Sequence, residues 1–358
     1  MARVLLLYFI MLVNSVLADA SENRDAIIPI NERNFVILQY HHVATNTPSI
    51  TSISPSVFSE HMRYLKEHHQ VIDLDTALSK LKNKQPLPDK SVVITFDDGY
   101  KNIFENATPI LEKYDFPYTV FINPDEIGNS NAQMTWQDIK SMMPLATFAN
   151  HTLDHLHLLE RLAGESESAW LIRVMDNINR AENAIRKQLS YSKKWLAYPF
   201  GEFNQDLRLR LQQQGYIGFG QQSGAVSNFS DTGALPRFPA AGIYANIKTL
   251  KTKLNSLAMP VIAQNPKRVE YMPKESIKSL SLTIEDHDLN MANFACYFKG
   301  ESIAIERSNN SVNARLNHLT APGRQRINCT APSLSQKGRF YWYSYPIFTS
   351  TQDGKFLD

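Results

Sequence analysis

The sequence predicts an α/β fold, an irregular (β/α) barrel, followed by a small all-β, sandwich-like domain. From about residue 35 to 258, short β-rich runs alternate with longer amphipathic stretches, as in parallel strands joined by right-handed helical crossovers. An open doubly wound sheet would give the same alternation. No glycine-rich nucleotide loop follows any of the runs, which favours the barrel. After residue 260 apolar and polar residues alternate in several segments, which is typical of antiparallel strands.

The elements of the α/β region are predicted from the length and period of its apolar runs. The predicted strands are 35–40, 91–96, 118–122, 145–149, 195–198 and 216–219. The predicted helices are 55–69, 76–81, 103–114, 136–143, 165–189, 205–214 and 246–257. In helix 165–189, apolar residues recur every three or four positions, which indicates a long amphipathic helix.

The β domain is predicted from three alternating segments with turn residues between them. These segments are 277–285, 293–298 and 339–348. Residues 263–275 form the expected linker. The predicted domain boundaries are therefore 19–262 for the α/β domain and 276–358 for the β domain.

The N-terminus predicts a signal peptide at 1–18. A positively charged start precedes an apolar run at 4–13, and small residues at 16–18 suit cleavage. The run is too short to span a bilayer comfortably, and an uncleaved anchor is the alternative. We therefore expect a periplasmic or secreted protein with no transmembrane anchor after cleavage.

The two cysteines of the chain, Cys296 and Cys329, both lie in the predicted β domain. In an exported protein such a pair predicts one disulfide, here between two strands. Two buried free thiols are the alternative. Without a histidine at ligand spacing, the pair does not predict a zinc site.

Composition limits the classes of partner. Hydrophobic residues make up 43% of the chain and charged residues 20%, as in ordinary globular proteins. The formal net charge is +2, so there is no electrostatic case for binding nucleic acid. A neutral or weakly charged substrate fits this balance better.

Two adjacent carboxylates, Asp97 and Asp98, directly follow the apolar strand predicted at 91–96. Barrel enzymes place catalytic groups at the C-terminal ends of such strands. Two neighbouring Asp residues can take different tasks if one binds a metal and the other stays free as a base. An Asp-Gly pair alone usually marks a plain turn, so the motif needs a second, independent motif to indicate chemistry.

A histidine pair supplies that second motif. His151 and His155 follow the strand predicted at 145–149, and two His four apart on a helical turn can converge on one ion. With one of the two carboxylates they form a set of two nitrogens and one oxygen that leaves positions open for water and substrate. The two motifs together predict a metal site.

A third motif, YPFG at 198–201, again ends a predicted strand, and its Pro and Gly fix a loop that can approach a ligand closely. Taken alone, this motif indicates an ordinary strand-to-helix turn. In this order, TFDDGY at 95–100, HTLDH at 151–155 and YPFG resemble the polysaccharide deacetylase family, with its NodB homology domain, in carbohydrate esterase family 4. The resemblance covers about residues 35–258. It implies an irregular (β/α) barrel that hydrolyses N-acetyl groups on a polymer containing N-acetylglucosamine (GlcNAc).

The resemblance also implies roles for individual residues. Carried over by motif, Asp98, His151 and His155 are expected to bind a divalent metal, usually zinc. Asp97 is expected to act as the general base that takes a proton from the attacking water. The backbone N–H of Phe200 is expected to help hold the oxyanion.

The chain departs from the family pattern in two places. The Leu-x-His motif that usually supplies the catalytic acid is missing late in the α/β region. Tyr40-His41-His42 resembles instead the circularly arranged branch of the family, which includes deacetylases of poly-β-1,6-GlcNAc, and implies His41 as the acid, with His42 as the alternative.

The third motif also lacks its usual Arg. Arg237 is our candidate to pair with Asp97, and a surface Arg of no consequence is the alternative.

The substrate is less sharply predicted than the reaction. The early Tyr-His favours poly-GlcNAc, while peptidoglycan and chitin-like polymers stay open. A metal amidase acting on a non-sugar amide is an alternative, because a barrel does not dictate its substrate. A non-catalytic carbohydrate-binding protein is a second alternative, although the complete Asp-Asp-His-His set argues against it.

Overall fold

The computed structural model describes residues 29–285 and 288–357, so the predicted signal peptide at 1–18 lies outside the described residues. In the described part of the chain, no helix is both long and apolar enough to cross a membrane. The described residues form an α/β region, up to about residue 256, and a β region that follows it.

The elements of the α/β region agree in type with the predicted ones, and several further short strands occur. Its strands are β1 Asn34–Tyr40, β2 His42–Val43, β3 Ser52–Ile53, β4 Gln70–Val71, β5 Ser91–Phe96, β6 Tyr118–Ile122, β7 Ala146–Asn150, β8 Trp195–Ala197, β9 Ile217–Phe219, β10 Val226–Ser227 and β11 Phe238–Pro239. Its α-helices are α1 Pro55–His68, α2 Leu74–Lys82, α3 Thr108–Tyr114, α4 Trp136–Met142, α5 Glu167–Leu189, α6 Gln205–Gln213 and α7 Ile247–Leu254. A π-helical turn at Ile103–Ala107 precedes α3, and 3-10 turns lie at Ile30–Glu32, Pro199–Gly201 and Gly242–Tyr244.

The main sheet has the strand order β10-β1-β5-β6-β7-β8-β9, with β4 paired to β5 and β11 paired to β1. The neighbours from β1 through β9 run parallel, and β10 is antiparallel to β1. Every residue of β1, β5 and β6 is buried, which explains their near-continuous apolar sequences. The sheet curls into a half-barrel, so the predicted irregular barrel is confirmed.

The β region contains more strands than the three predicted segments. They are β12 Leu257–Ala258, β13 Val261–Asn265, β14 Glu270–Tyr271, β15 Ser276–Ile284, β16 Ala295–Phe298, β17 Glu301–Ile303, β18 Ile305–Ser308, β19 Ser311–Leu319, β20 Gly323–Pro332 and β21 Phe340–Thr349. One sheet has the order β12-β21-β20-β16-β17 with β14 paired to β21, and the other has the order β13-β15-β19-β18. Side chains of both sheets belong to one hydrophobic core, so the predicted all-β character is confirmed.

The helix predicted at 246–257 ends earlier than expected, because Leu254 is its last residue and β12 begins at Leu257. Beyond it, β13 and β14 occupy part of the predicted linker at 263–275 and pair with β15 and β21, respectively. The division of the chain into domains stays a prediction.

The disulfide prediction is confirmed. Cys296 on β16 and Cys329 on β20 lie opposite each other in the strand register and are bonded. The bond joins neighbouring strands of the same sheet, and both residues are fully buried. It therefore strengthens the core of the β region.

The two regions pack against each other through buried aromatic residues and ion pairs. Phe203 meets Phe348 of β21 edge to face, with 5.4 Å between the ring centroids. Such a pair contributes about 0.5–1.5 kcal/mol beyond the area that it buries. Arg339 of the β region donates to the Asp89 carboxylate and to the Asn255 carbonyl. The β region thus packs against the α/β region, and residues of both belong to one hydrophobic cluster.

Candidate functional site

The predicted site residues meet at one edge of the main sheet. His41 follows β1, and Asp97 and Asp98 follow β5. His151 follows β7, and Phe200 lies in the 3-10 turn after β8. Because the carboxyl ends of parallel strands share one edge, residues far apart in the chain converge here.

Asp98, His151 and His155 form a cluster that could hold a metal ion, with their candidate ligand atoms within 4.8 Å of one another. Oδ1 of Asp98 lies 3.1 Å from Nε2 of His151 and 3.3 Å from Nε2 of His155. That oxygen is buried and accepts no hydrogen bond from any described residue, which is costly for a carboxylate. A cation between the three side chains would remove this cost. Two imidazoles and a carboxylate are a donor set that zinc and related divalent ions accept, so the residues fit such an ion.

The segment that carries the two histidines is a sharp loop, so the predicted helical turn is wrong. Thr152 and His155 have left-handed backbone conformations, with φ of 70° and 57°, which cost L-residues roughly 1–2 kcal/mol each. The Thr152 backbone is held on both sides. Its N–H donates to Oδ1 of Asn150 at 2.8 Å, and its carbonyl accepts from Nδ2 of Asn123 at 3.2 Å. These side chains shape the loop that brings the imidazoles together.

The ring of His151 is oriented by the neighbouring strand. Its Nδ1 lies 2.8 Å from the carbonyl oxygen of Ala197 on β8. A carbonyl can only accept, so Nδ1 carries a proton and Nε2 is the nitrogen that faces Asp98. A histidine that binds a metal usually has such a second partner, which fixes its tautomer.

Asp97 is fully buried and paired with Arg237, which is itself fully buried. The guanidinium donates from Nη1 to Oδ1 at 2.7 Å and from Nη2 to Oδ2 at 2.8 Å. Nε2 of Gln39 also donates to Oδ2, at 2.7 Å. Burial raises the pKa of Asp97, but the charge and hydrogen bonds of Arg237 outweigh it, so the pKa lies below its ordinary value. The carboxylate is therefore ionised, and Arg237 is not a surface residue.

His41 and His42 occupy different environments. Nε2 of His41 lies 3.8 Å from Oδ2 of Asp97, and its side chain is 17% exposed. His42 stacks on Tyr100 with 3.7 Å between ring centroids, and its Nδ1 lies 3.0 Å from Nδ2 of Asn102. Burial lowers the pKa of His42 to about 4, so this ring is neutral near pH 7. Of the two, His41 is the residue beside the Asp97 carboxylate that also reaches solvent.

Phe200 lies in a tight turn with φ 57° and ψ 3°, in the left-handed region. Gly201 follows with φ 73°, and a Cβ there would lie 2.7 Å from Cβ of Gln221, so the turn requires glycine. The Phe200 ring stacks on His157 at 3.8 Å and meets His155 edge to face at 4.6 Å. The turn thus places the Phe200 ring against His155, one of the candidate metal ligands.

Sequence analysis missed three supporting residues. Gln39 bonds to Asp97, and as a polar residue in the apolar run FVILQY it could have been noticed. Asn123 follows β6 at the same edge of the sheet and holds the histidine loop. Asn102 holds His42, and nothing in the sequence around it indicates that contact.

Comparison with known proteins agrees with this geometry. Residues 84–218 match the model of the family described as polysaccharide deacetylase. The poly-β-1,6-N-acetyl-D-glucosamine N-deacetylase of Staphylococcus aureus (strain MSSA476) is 28% identical over 242 residues, which cover 62% of this chain and 83% of that protein. The protein of the same name from strain MRSA252 is 31% identical over 193 residues, or 52% of this chain and 67% of that protein.

A solved structure supports the fold. The Streptococcus pyogenes deacetylase PplD, in complex with acetate, aligns with a TM-score of 0.55 and 23% identity, over 62% of this chain and 98% of that one. The aligned part corresponds in size to the α/β region. Taken with the family match and the staphylococcal relatives, the strand-end motifs lead to one conclusion: the chain belongs to the polysaccharide deacetylase family and is a hydrolase of that class.

Proposed function

We propose that the protein is a metal-dependent N-deacetylase of a GlcNAc-containing polysaccharide. The observation that carries the proposal is the Asp98, His151 and His155 cluster directly beside the ionised Asp97. Poly-β-1,6-GlcNAc is the substrate that we favour over peptidoglycan and chitin-like polymers. The names of the staphylococcal relatives and the position of His41 after the first strand support this choice.

We propose zinc as the metal, held by Asp98, His151 and His155. When bound, such an ion would polarise the acetamide carbonyl and lower the pKa of a water molecule. The proton on Nδ1 of His151 and the unbonded Oδ1 of Asp98 support this assignment, because both leave a lone pair directed into the cluster.

In the proposed reaction, Asp97 accepts the proton of the water that attacks the acetamide carbon. Its oxygens already accept from Arg237 and Gln39, but a carboxylate has about four lone-pair sites, so capacity remains. The Phe200 N–H donates to the oxyanion as its charge develops. His41 then protonates the leaving amine, which releases acetate and a glucosamine unit.

We propose that this reaction takes place outside the cytoplasm. The disulfide between Cys296 and Cys329 supports an oxidising compartment, and the N-terminal apolar run at 4–13 supports export. The substrate class agrees, since polymers of GlcNAc belong to the cell envelope or its surroundings.

Acetate release from β-1,6- and β-1,4-linked GlcNAc oligomers tests the proposal. We expect release from the β-1,6-linked oligomer, its loss after chelation, and its return when zinc is restored. Release from the β-1,4-linked oligomer alone would replace the substrate with a chitin-like or peptidoglycan polymer. Stoichiometric zinc with no release from either would support the ligand set and reject the substrate class.

A further inference from the structure

A buried carboxylate links the Phe200 turn to the β region. The side chain of Glu202 has no exposed surface. Its Oε2 lies 2.9 Å from Nδ1 of His157, and its Oε1 accepts from Nη1 of Arg324 at 3.2 Å. A buried carboxylate that loses its partner is strongly unfavourable. Arg324, on β20, therefore supplies a charge from the β region to a residue of the α/β region.

Glu202 belongs to the closing bond of the strained turn. Its N–H donates to the carbonyl of Pro199 at 3.1 Å, and this bond spans Phe200. Left-handed conformations of bulky residues persist only where the surroundings hold them. The backbone of Glu202 therefore helps to close the turn around Phe200, while its carboxylate is held by Arg324 and His157.

The two partners of Glu202 also contact the Phe200 ring. His157 stacks on it at 3.8 Å, and Cζ of Arg324 lies 5.3 Å from its centroid. The ring in turn meets the edge of His155 at 4.6 Å. An unbroken set of contacts therefore runs from β20 to one of the candidate metal ligands.

A second set of contacts from the β region reaches Arg324 and His157. Nη1 of Arg324 also donates to the carbonyl of Leu357 at 2.7 Å. The next residue inward, Phe356, lies over His157 with 6.4 Å between ring centroids, and its N–H donates to Oε1 of Glu160 at 3.0 Å. The last described residues thus contact Arg324, His157 and Glu160.

We propose that the β region is an integral part of the active site, because Arg324 and Glu202 act as positioning residues for the Phe200 turn. Two consequences follow. The Phe200 N–H keeps the direction that oxyanion stabilisation needs, a consequence that rests on the proposed function. The His155 ring keeps its orientation toward Asp98, a consequence that requires only the metal site.

The test uses the full chain with Arg324→Ala, and Arg324→Lys as the conservative variant that retains the charge. Arg315→Ala is the matched control, because Arg315 forms an exposed ion pair with Glu306 in the other sheet. Thermal unfolding establishes which variants are folded. If the alanine variant does not fold, Arg324→Met replaces it, since methionine keeps an apolar stem over the ring without the charge.

Two readouts separate this inference from the proposed function. The zinc Kd, from competition with a chromophoric chelator, is expected to rise about tenfold in Arg324→Ala. With the oligomer that wild type deacetylates, kcat is expected to fall about tenfold with KM nearly unchanged. Arg324→Lys should recover much of the zinc affinity and much of kcat. Arg315→Ala should behave like wild type in both measurements.

The outcomes are distinguishable. A folded Arg324→Ala protein with wild-type zinc Kd and wild-type kcat would overturn the inference while leaving the proposed function intact. If wild type releases no acetate from any oligomer, the proposed function fails, and the zinc Kd alone decides the inference. An effect of equal size in Arg315→Ala would also reject the inference, because loss of any arginine of the β region would then have the same effect.

Discussion

Asp97 and Asp98 are neighbours in the chain, yet their surroundings give them different chemistry. The Asp97 carboxylate is ion-paired with Arg237, and its pKa is lowered. Oδ1 of Asp98 faces two imidazole nitrogens and accepts no hydrogen bond from the described residues. Environment alone thus makes two identical side chains different, as the proposed division into a base and a metal ligand requires.

Replacement of Asp97 by Asn tests this division of tasks. Asn cannot accept the proton, so we expect kcat to fall about 100-fold or more, while one zinc ion per chain is retained. Acetate release and metal content on the same preparation measure both quantities. Asp206→Asn, an exposed change on α6, serves as the control. Normal turnover in Asp97→Asn would reject the base assignment.

Arg237→Met removes the charge that lowers the pKa of Asp97, while the burial that raises it remains. The pKa of Asp97 should therefore rise, and the low-pH limb of kcat/KM should move to higher pH, because the base works only when ionised. The buried carboxylate also loses its partner, which should lower the free energy of unfolding by about 3–5 kcal/mol. A pH profile taken where the variant is folded checks the first effect, and urea unfolding checks the second. An unshifted limb would argue against Asp97 as the titrating base.

At the scale of elements, loops and strand ends shape the site more than the strands do. The loop after β7 and the turn after β8 both contain left-handed residues other than glycine. Side chains at strand ends hold the loop after β7, namely Asn123 after β6 and Asn150 at the end of β7. The strands provide a shared edge, and these polar side chains set the positions of the imidazoles at it.

Asn123→Ala tests the support of the histidine loop. The loop loses donors to the carbonyls of His151 and Thr152, so we expect the zinc Kd to rise at least about tenfold. Asn183→Ala, an exposed change on α5, is the matched control. Competition with a chelator measures both, and equal Kd values for the two variants would show that the loop holds its shape without Asn123.

At the scale of the whole molecule, the α/β and β regions form one structure. Trp170 of α5, Phe203, Leu280 of β15 and Ile347 of β21 belong to one hydrophobic core. The β region therefore covers apolar surface of the α/β region. Through Arg324 it also contacts Glu202, which follows the Phe200 turn.

The disulfide should contribute to the stability of this joint core. Cys296 and Cys329 are 33 residues apart, and closure of a loop of this size stabilises a protein by about 2–4 kcal/mol. We expect the double variant Cys296→Ala, Cys329→Ala to unfold at lower urea concentration, with kcat unchanged where it is folded. Reduction of wild type should reproduce the shift. A midpoint equal to that of oxidised wild type would contradict the expectation.

Much of the fold was predictable because its determinants are local. Apolar runs followed by Asp97, His151 and the YPFG turn indicate both strands and strand ends. In the β region, polar residues dominate strands such as β18, in which three of four residues are exposed. The alternation of apolar and polar residues is weak in such strands, so several of them were not predicted.

The sequence by itself determined the fold class and predicted the disulfide and the residue types of the candidate site, because strand periodicity and residue chemistry are properties of short segments. Only the tertiary structure decided that Arg237 pairs with Asp97 across 140 residues and that His41 rather than His42 lies beside Asp97. It also decided that Thr152 and His155 adopt left-handed backbone conformations. These features depend on which chain segments pack together. No local pattern encodes such contacts, because they arise only when the sheet brings its strand ends to one edge.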